Sequence, residues 1–329
     1  MAVTTDRDVS GDYWYPVAIS SEVVDRPIAA TLLGVRIVLC RLDGQLTALR
    51  DLCIHRGTPL SIGRIEANSL VCAYHGWRYG SDGVCHLIPQ LRPEQHIPRK
   101  AKVRSYAVAE RFGAIWVSLN DPRLPLPDFP EYDDPAYKTI LIGHHQWQAG
   151  AARIMENFID PSHFAFVHPG ILGDSRRPEV ALTPIRHSAD GFDFTSTVDV
   201  PDGSGGWKPE SAYTRYLMPY TLYLIRERTT AGETSRIVTL TVVRPISRSV
   251  SERYTWLARN YDQDRPDEPF VTFADTVREQ DRVIVESQRP EELPLDLSDE
   301  MHLRGIDSSA VEFRRLLART GLFDSASAQ

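Results

Sequence analysis

The sequence predicts an α+β protein with an all-β N-terminal part and a C-terminal part that combines antiparallel strands with helices. Before residue 120, apolar runs of strand length alternate with turn residues, without a long helical periodicity. The segment 122–136 then contains five prolines, a composition that excludes a helix or a central strand. We therefore predict an all-β domain over residues 1–121, an ordered linker over 122–136 and a mixed domain over 137–329.

Hairpin signals define the elements of the N-terminal domain. The run "VRIVLCRL" is followed by Asp43-Gly44 and then by "QLTALRDL", a pattern typical of two strands joined by a tight turn. The same kind of signal recurs at Asp82-Gly83, and "YAVAERFGAIWVSL" predicts another strand pair around Gly113. These repeated short strands indicate an antiparallel β-domain.

Helices and strands are both predicted in the C-terminal domain. A helix is expected from about Gly150 to Phe166, with a kink or restart at Pro161. Strand-like runs follow, and "DEPFVTFADTVREQDRVIVESQRP" has a helical pattern. A last helix is predicted in "SSAVEFRRLLARTGLF", where Ser stands at the start and Gly321 near the end.

Composition and charge restrict the class of protein. A net charge of −7 argues against nucleic acid or an anionic membrane surface as the main partner. The first residues show no basic region followed by an apolar run, and no stretch of about 18 apolar residues is present. We therefore expect a cytoplasmic protein that neither enters a membrane nor binds nucleic acid. In that compartment, four cysteines indicate ligands or inert thiols more than a disulfide framework.

The first cluster of ligand-type side chains is Cys53-x-His55, followed after sixteen residues by Cys72-x-x-His75. Each loop mixes one thiolate with one imidazole, which suits a [2Fe-2S] cluster whose two irons have unlike ligands. The alternative is a structural zinc, but zinc fingers place the cysteines in one loop and the histidines in another. We therefore predict that these four residues bind an iron–sulfur cluster.

The second cluster lies in "NFIDPSHFAFVH". Asn157, Asp160 and His163 are spaced by three and would share one face of a helix, and His168 follows after a break. Two histidines and one carboxylate form the facial triad that holds ferrous iron and leaves positions open for oxygen and substrate. Glu156 and Asp160 are the two nearby carboxylates, and spacing alone does not choose between them.

The motifs "CIHRG" and "CAYHGW" resemble the Rieske signature, and the resemblance extends from "YWYPVA" to "VIVESQ". The chain is similar to the oxygenase component of Rieske non-haem iron oxygenases, in the group that contains vanillate and dicamba O-demethylases and caffeine N-demethylases. The resemblance implies an N-terminal all-β Rieske [2Fe-2S] domain and a C-terminal helix-grip (START-like) catalytic domain. It also implies a mononuclear Fe(II) in the second domain.

The same resemblance implies roles for individual residues of this chain. His163, His168 and Asp281 are expected to bind the mononuclear iron, with Asp281 more than a hundred residues downstream of the histidines. Asp160 then resembles the residue that bridges a cluster histidine of one subunit to an iron histidine of the neighbour, and it is not a ligand. Relatives commonly carry Glu before the aspartate ligand, whereas Gln280 stands here.

The implied function is that of the terminal oxygenase of a multicomponent monooxygenase, which uses O₂ to hydroxylate, or to N- or O-demethylate, a small aromatic or heterocyclic substrate. The chain has no G-x-G-x-x-G fingerprint and no ferredoxin-type cysteine cluster, so a separate reductase, with or without a ferredoxin, is expected. A bridge through Asp160 requires a closed head-to-tail ring, and the resemblance implies a homotrimer. The alternatives are an aromatic-ring dioxygenase or natural-product hydroxylase on the same scaffold, a non-catalytic Rieske electron-transfer protein, and a zinc-stabilised binding module.

Three further features are open to two interpretations each. Asn157 resembles a residue placed beside the iron, or it is an amide on a helix surface. A basic run after the Rieske motif is a docking patch for an acidic electron donor or a solvated surface. An aromatic-rich strand segment lines a pocket or forms core. The basic run is Arg99, Lys100, Lys102 and Arg104, and the aromatic residues are Trp207, Tyr213, Tyr216, Tyr220 and Tyr223.

Overall fold

The computed structural model describes residues 9–230 and 233–322, which form two compact units. The N-terminal unit is Gly11–Pro125, and the C-terminal unit holds the described residues from Leu126 onward together with Val9 and Ser10. The division falls within the proline-rich segment, and the exact domain limits given above stay a prediction. The α+β class is confirmed, with mostly antiparallel sheets and few helices.

The N-terminal unit consists of three antiparallel sheets with the orders β1-β10-β9, β2-β3-β4 and β5-β6-β7-β8. The predicted hairpin is confirmed, because Asp43 and Gly44 both have positive φ (52° and 75°), as a two-residue turn between twisted strands requires. The strands are β1 Tyr15–Ile19, β2 Ile28–Leu32, β3 Val35–Leu42, β4 Gln45–Arg50, β5 Arg64–Glu66, β6 Ser69–Val71, β7 Arg78–Tyr79, β8 Cys85–Leu87, β9 Ala107–Arg111 and β10 Ala114–Ser118.

The C-terminal unit is built on one eight-stranded antiparallel sheet, ordered β11-β18-β17-β16-β15-β14-β12, with β13 also paired to β14. The strands are β11 Lys138–Trp147, β12 Ala181–Leu182, β13 Arg186–His187, β14 Gly191–Pro201, β15 Trp207–Leu217, β16 Thr221–Thr230, β17 Glu233–Pro245 and β18 Ser251–Arg259. The helices are α1 Ala151–Ile159, α2 Phe164–Val167, α3 Glu268–Ser287 and α4 Ser308–Thr320. None of the helices in the described part of the chain combines the length and the apolar character needed to cross a membrane.

The helices pack on the sheet and on one another. Helix α1 contacts β16 and β17 as well as α3 and α4, and the long helix α3 also contacts β11 and α2. The predicted C-terminal end of α4 is confirmed, because Gly321 adopts the left-handed conformation (φ 69°) that favours glycine after a helix. This arrangement of a long helix over an antiparallel sheet agrees with the helix-grip architecture expected from the resemblance.

The predicted helix over residues 150–166 is interrupted as expected at Pro161, but the predicted common helical face does not form. Asp160 follows the last residue of α1 with an extended backbone (φ −102°, ψ 107°), because a residue before proline is disfavoured in the helical conformation. His163 lies beyond this break, immediately before α2. The expectation that His163 shares one helix face with Asn157 and Asp160 is therefore wrong, although the three residues remain close in the chain.

A buried network of charges fixes α1 to α4. Arg314, only 2% exposed, donates to both carboxylate oxygens of Glu156 at 2.6 and 2.8 Å and to Glu300 at 2.5 Å. Arg153 in turn donates to Glu300 at 2.7 Å. Because buried charges are tolerated only when they are paired, this network joins the two helices and the segment that carries Glu300. It also occupies Glu156, one of the two carboxylates near the histidine pair.

We expect Arg314→Met to destabilise the C-terminal unit by about 3–5 kcal/mol, because Glu156 and Glu300 lose their buried partner. A loss of this size lowers the melting temperature by roughly 6–20 °C in calorimetry. The matched control is Arg319→Met on the same helix, since Arg319 is 60% exposed in its pair with Glu312. That change should cost less than about 0.5 kcal/mol, and equal melting temperatures for the two variants would contradict the role of the network.

Candidate metal centres

The two cysteine loops of the N-terminal unit have the same backbone geometry. The N–H of Gly57 donates to the carbonyl of Cys53 at 2.9 Å, and the N–H of Gly76 donates to the carbonyl of Cys72 at 3.0 Å. Both glycines have positive φ, 70° and 71°, which permits the chain to turn sharply directly after each histidine motif. Each loop therefore curls around its cysteine and presents side chains toward a common point.

The four predicted cluster ligands of these loops come together. Cys53 and Cys72 are both 2% exposed, and their side chains contact each other. The rings of His55 and His75 are 4.5 Å apart, centroid to centroid. Burial lowers the pKa of His55, and the positive charges of His75 and Arg56 act in the same direction. This favours the neutral imidazole, which is the form that binds metals. Two sulfur and two nitrogen atoms from two loops fit a [2Fe-2S] cluster with two unlike irons.

Two residues around these loops were not singled out from the sequence. Trp77 stacks on His55 with a centroid distance of 4.5 Å and an interplanar angle of 5°, which fixes the orientation of the imidazole. The hydroxyl of Tyr79 lies 3.1 Å from the sulfur of Cys53. A hydrogen bond to a ligand sulfur raises the potential of an iron–sulfur centre. Their position in the sequence could have indicated them, because both residues follow the ligand His75 within four positions.

A second group of ligands converges in the C-terminal unit. His163, His168 and Asp281 offer ligand atoms that all lie within 4.8 Å of one another. Nε2 of His163 is 3.3 Å and Nε2 of His168 is 3.1 Å from Oδ1 of Asp281. All three atoms are buried, and none of them has a hydrogen-bond partner among the residues that the structure describes. Buried polar atoms without partners are rare, and two imidazoles with one carboxylate suit a ferrous ion.

The other ring nitrogens of the two histidines have acceptors. Nδ1 of His163 donates to Oδ2 of Asp160 at 3.3 Å, and Nδ1 of His168 donates to Oε1 of Gln280 at 2.9 Å. These contacts orient both rings so that Nε2 faces Asp281, which is how ligand histidines are held in metal sites. Gln280 thus supplies the acceptor that orients the ring of His168.

The electrostatics of this group favour a cation. Burial alone lowers the pKa of His163, but the nearby carboxylates of Asp160 and Asp281 outweigh it and raise this pKa to about 9. Burial opposes ionisation of Asp281 as well, yet His163 and His168 lower the pKa of this carboxyl below its usual value. Two carboxylates around one imidazole leave negative charge that a proton or a metal ion must balance. The residues present therefore fit a divalent metal.

The remaining predicted residues lie around these ligands. Asp160 accepts hydrogen bonds from the N–H and hydroxyl of Ser162 on Oδ1 and from His163 on Oδ2, and 29% of its side chain is exposed. Asn157 lines a cavity beside these ligands, and its buried side-chain oxygen has no hydrogen-bond partner within residues 9–230 and 233–322. It is therefore not a helix-surface amide.

A cavity of about 750 Å³ lies between the sheet and helix α3, with His163, His168 and Asp281 in its wall. Because side chains alternate along a strand, the strands contribute mostly every second residue to this wall. On β15 the facing residues are Glu210, Ala212 and Thr214, whereas Tyr213 and Tyr216 are absent from the wall and Tyr216 is completely buried in core. None of the five aromatic residues weighed as pocket candidates lines this cavity.

The family models identify both halves of the chain. Residues 13–107 match the Rieske [2Fe-2S] domain, and residues 147–321 match the vanillate O-demethylase oxygenase C-terminal domain. Among curated proteins, the methylxanthine N1-demethylase NdmA of Pseudomonas putida is 32% identical over 305 residues, which cover 89% of this chain and 85% of NdmA. The methylxanthine N3-demethylase NdmB of the same organism is 32% identical over 94% of this chain and 89% of its own.

Solved structures agree with these matches. The structure of Pseudomonas putida NdmA with caffeine superimposes with a TM-score of 0.84 at 29% identity, covering 98% of this chain and 99% of NdmA. Dicamba monooxygenase bound to dicamba gives a TM-score of 0.81 over 98% of this chain and 100% of its own. At 22% identity, that second likeness supports the fold alone.

The fold and the two ligand groups define an iron-dependent oxidoreductase with one electron-carrying centre and one catalytic centre. With the matches to both family models and to NdmA over most of its length, the chain belongs to the Rieske non-haem iron oxygenases. It is an oxygenase component, and its cofactors are a [2Fe-2S] cluster and a mononuclear iron. The expected family, enzyme class and cofactors are confirmed.

The contact between Gln280 and His168 generates a prediction for metal affinity. Gln280→Leu removes the acceptor of Nδ1, so we expect the affinity for Fe(II) to fall by about 10–100-fold, whereas Gln280→Glu should retain it. The measurement is an anaerobic titration of metal-depleted protein with Fe(II) against a chromogenic chelator. Glu279→Gln is the control, because Glu279 is 52% exposed and pairs only with Arg282 among the described residues. Equal affinities for Gln280→Leu and the wild type would show that Gln280 does not hold the ring.

Proposed function

We propose that this oxygenase removes a methyl group from nitrogen or oxygen of a small organic substrate. One O₂, two electrons and two protons convert the methyl group to a hydroxymethyl group and water, and the hydroxymethyl group then leaves as formaldehyde. The observation that carries the proposal is the His163, His168 and Asp281 group in the wall of a 750 Å³ cavity, in a chain with a second, sulfur-containing ligand group. The methylxanthine demethylases NdmA and NdmB are similar over most of the chain.

We assign the residues as follows. Cys53 and Cys72 would hold one iron of the cluster, and His55 and His75 would hold the other. The mononuclear iron supplies the activation of O₂ when it is bound. The ligand residues are His163, His168 and Asp281, and Asn157 lies in the cavity wall beside them. We retain domain limits of 1–121 and 137–329, joined by the linker 122–136.

The electrons reach the chain from outside it. Homologues in this family work with a separate reductase or ferredoxin and with small substrates, and the same division of labour is proposed here. The four basic residues between positions 99 and 104 are exposed. Exposure is required both of a docking patch for an acidic donor and of a solvated surface, so it does not choose between the two. A cytoplasmic location remains part of the proposal, on the charge and composition given above.

Asp160 is the proposed bridge between subunits. One of its oxygens is held by Ser162 and the other by His163, and the exposed part of the carboxylate leaves room for a further donor. A cluster histidine of a neighbouring subunit would be that donor. A carboxylate between two imidazoles couples their protonation and shortens the path for an electron. Contacts of this kind repeat around a closed ring, and we propose a homotrimer.

Metal analysis of anaerobically reconstituted protein tests the function. We expect about three iron atoms and about two labile sulfides per chain, because a two-iron cluster and one mononuclear site are both present. His168→Ala should retain the cluster spectrum and lose one iron, together with formaldehyde production from N-methyl and O-methyl substrates. Two irons per chain in the wild type would instead identify an electron-transfer protein, and a colourless zinc protein would refute both assignments.

For Asp160→Asn we expect both metal centres to be retained and substrate-coupled turnover to fall by about 100-fold, because the amide cannot accept from two imidazoles. The reduced cluster is followed by its visible absorbance after mixing with O₂ and substrate, and its reoxidation should slow in parallel. Ser162→Ala is the matched control, since it removes a donor to Asp160 and keeps the carboxylate. Full activity of Asp160→Asn would refute the bridging role.

A further inference from the structure

Arg253 is a buried cation in the wall of the cavity. It lies on β18, between β11 and β17, and only 8% of the residue is exposed. Its alternating neighbours Thr255 and Leu257 line the same cavity, so the side chain of Arg253 is on the cavity face of the sheet. An interior strand holds its backbone, which leaves little freedom for the side chain to reach solvent.

The described residues offer Arg253 no carboxylate within ion-pair distance, and its Nε has no hydrogen-bond partner. The guanidinium carbon lies 5.3 Å from the ring centroid of Phe158, which is a cation–π contact. The other buried arginines of this unit have carboxylate partners. These pairs are Arg153 with Glu300, Arg244 with Glu252, Arg259 with Asp267 and Arg314 with Glu156.

The charges around Arg253 increase the demand for an anion. Burial and, after it, the positive charge of Arg278 lower the pKa of Arg253 to about 10, so the group is still a cation at neutral pH. Asp275 and Asp281 act in the opposite direction. However, Asp275 pairs with Arg278 at 2.7 Å, and Oδ1 of Asp281 faces the two histidines at 3.1–3.3 Å. Neither carboxylate is within 4 Å of Arg253, as an ion pair would require.

A buried charge without a partner is unfavourable, and proteins retain one where a ligand completes it. A guanidinium presents paired N–H donors that match the two oxygens of a carboxylate. The part of the wall that the sheet contributes also has polar and charged residues, such as Glu210 and Arg226. Its apolar part suits a small organic body. Its residues include Val198, Val200, Leu222, Leu224, Ile237 and Leu257.

We propose that Arg253 binds a carboxylate of the substrate, so that the oxygenase acts on a small organic acid. The inference rests on the proposed function in one respect, namely that this cavity receives the substrate. It goes further by naming the charged group of the substrate and the residue that selects it. Arg253 is then a specificity-determining residue that touches the substrate away from the methyl group.

The experiment compares two probes of nearly equal shape, 4-methoxybenzoate and the neutral 4-methoxybenzamide. Binding is measured by anaerobic calorimetry on the full-length protein. We expect the acid to bind at least about tenfold more tightly than the amide, as a charged hydrogen-bonded pair implies. Arg253→Gln should reduce this ratio to near one, and Arg253→Lys should retain a preference for the acid. The visible spectrum of the cluster verifies that each variant is folded.

Two controls separate the possible outcomes. Arg215→Gln changes an arginine of the same sheet that does not line the cavity, and the acid-to-amide ratio should remain at its wild-type value. Protein depleted of mononuclear iron by a chelator should keep the preference, because the carboxylate binds Arg253 and not the metal. Failure of the proposed function would be seen as missing mononuclear iron, which leaves this binding ratio intact. Equal binding of acid and amide, no binding of the acid, or an unchanged ratio in Arg253→Gln overturns the inference.

Discussion

The catalytic unit depends on three buried polar atoms that face one another without hydrogen bonds. Nε2 of His163 and Nε2 of His168 lie 3.3 and 3.1 Å from Oδ1 of Asp281, although the residues come from elements far apart in sequence. Such an arrangement is costly unless a cation completes it, so the surrounding structure must impose it. The break at Pro161, the buried charges between α1 and α4, and the position of α3 on the sheet all contribute to holding these three atoms in place.

The two metal centres differ in how local their construction is. Each cysteine loop is closed by a hydrogen bond from the N–H of a glycine to the carbonyl of the cysteine four residues before it. Both glycines have positive φ. The cluster ligands are therefore determined within each loop, and the two loops only have to meet. The triad has no such local unit, because Asp281 belongs to a helix that begins about a hundred residues after His168. Its geometry depends on the packing of α3 against α1, α2 and the sheet.

This difference explains what could be predicted from the sequence. The hairpin at Asp43-Gly44, the break at Pro161 and the end of α4 at Gly321 follow from local backbone preferences, and the cluster ligands come from a compact motif. Asp281 was reached only through the resemblance to a family, because Glu156 and Asp160 are nearer in sequence. Only the structure shows that these two carboxylates have other partners. Glu156 pairs with Arg314, and Asp160 accepts from Ser162 and His163.

Residues that shape the cavity were the hardest to predict, because strand parity decides which face a side chain occupies. Tyr213 and Tyr216 drew attention by their size, yet their small neighbours Ala212 and Thr214 face the cavity. Arg253 could not be recognised from the sequence. It differs from the four other buried arginines of the unit because each of them has a carboxylate partner among the described residues, and Arg253 has none. Gln280 was noticed as a departure from relatives, and only the structure shows that its oxygen meets His168.

The alternation of β17 and β18 has a consequence for how such an enzyme can change. On these strands the residues that face the cavity include Thr239, Thr241 and Thr255, while Leu240, Val242 and Trp256 on the other face are completely or almost completely buried. Substitutions of the cavity-facing residues therefore change the shape of the cavity, while the residues on the other face keep the core intact. New substrate preferences can therefore arise by changes on one face of the sheet with little loss of folding stability from the other face.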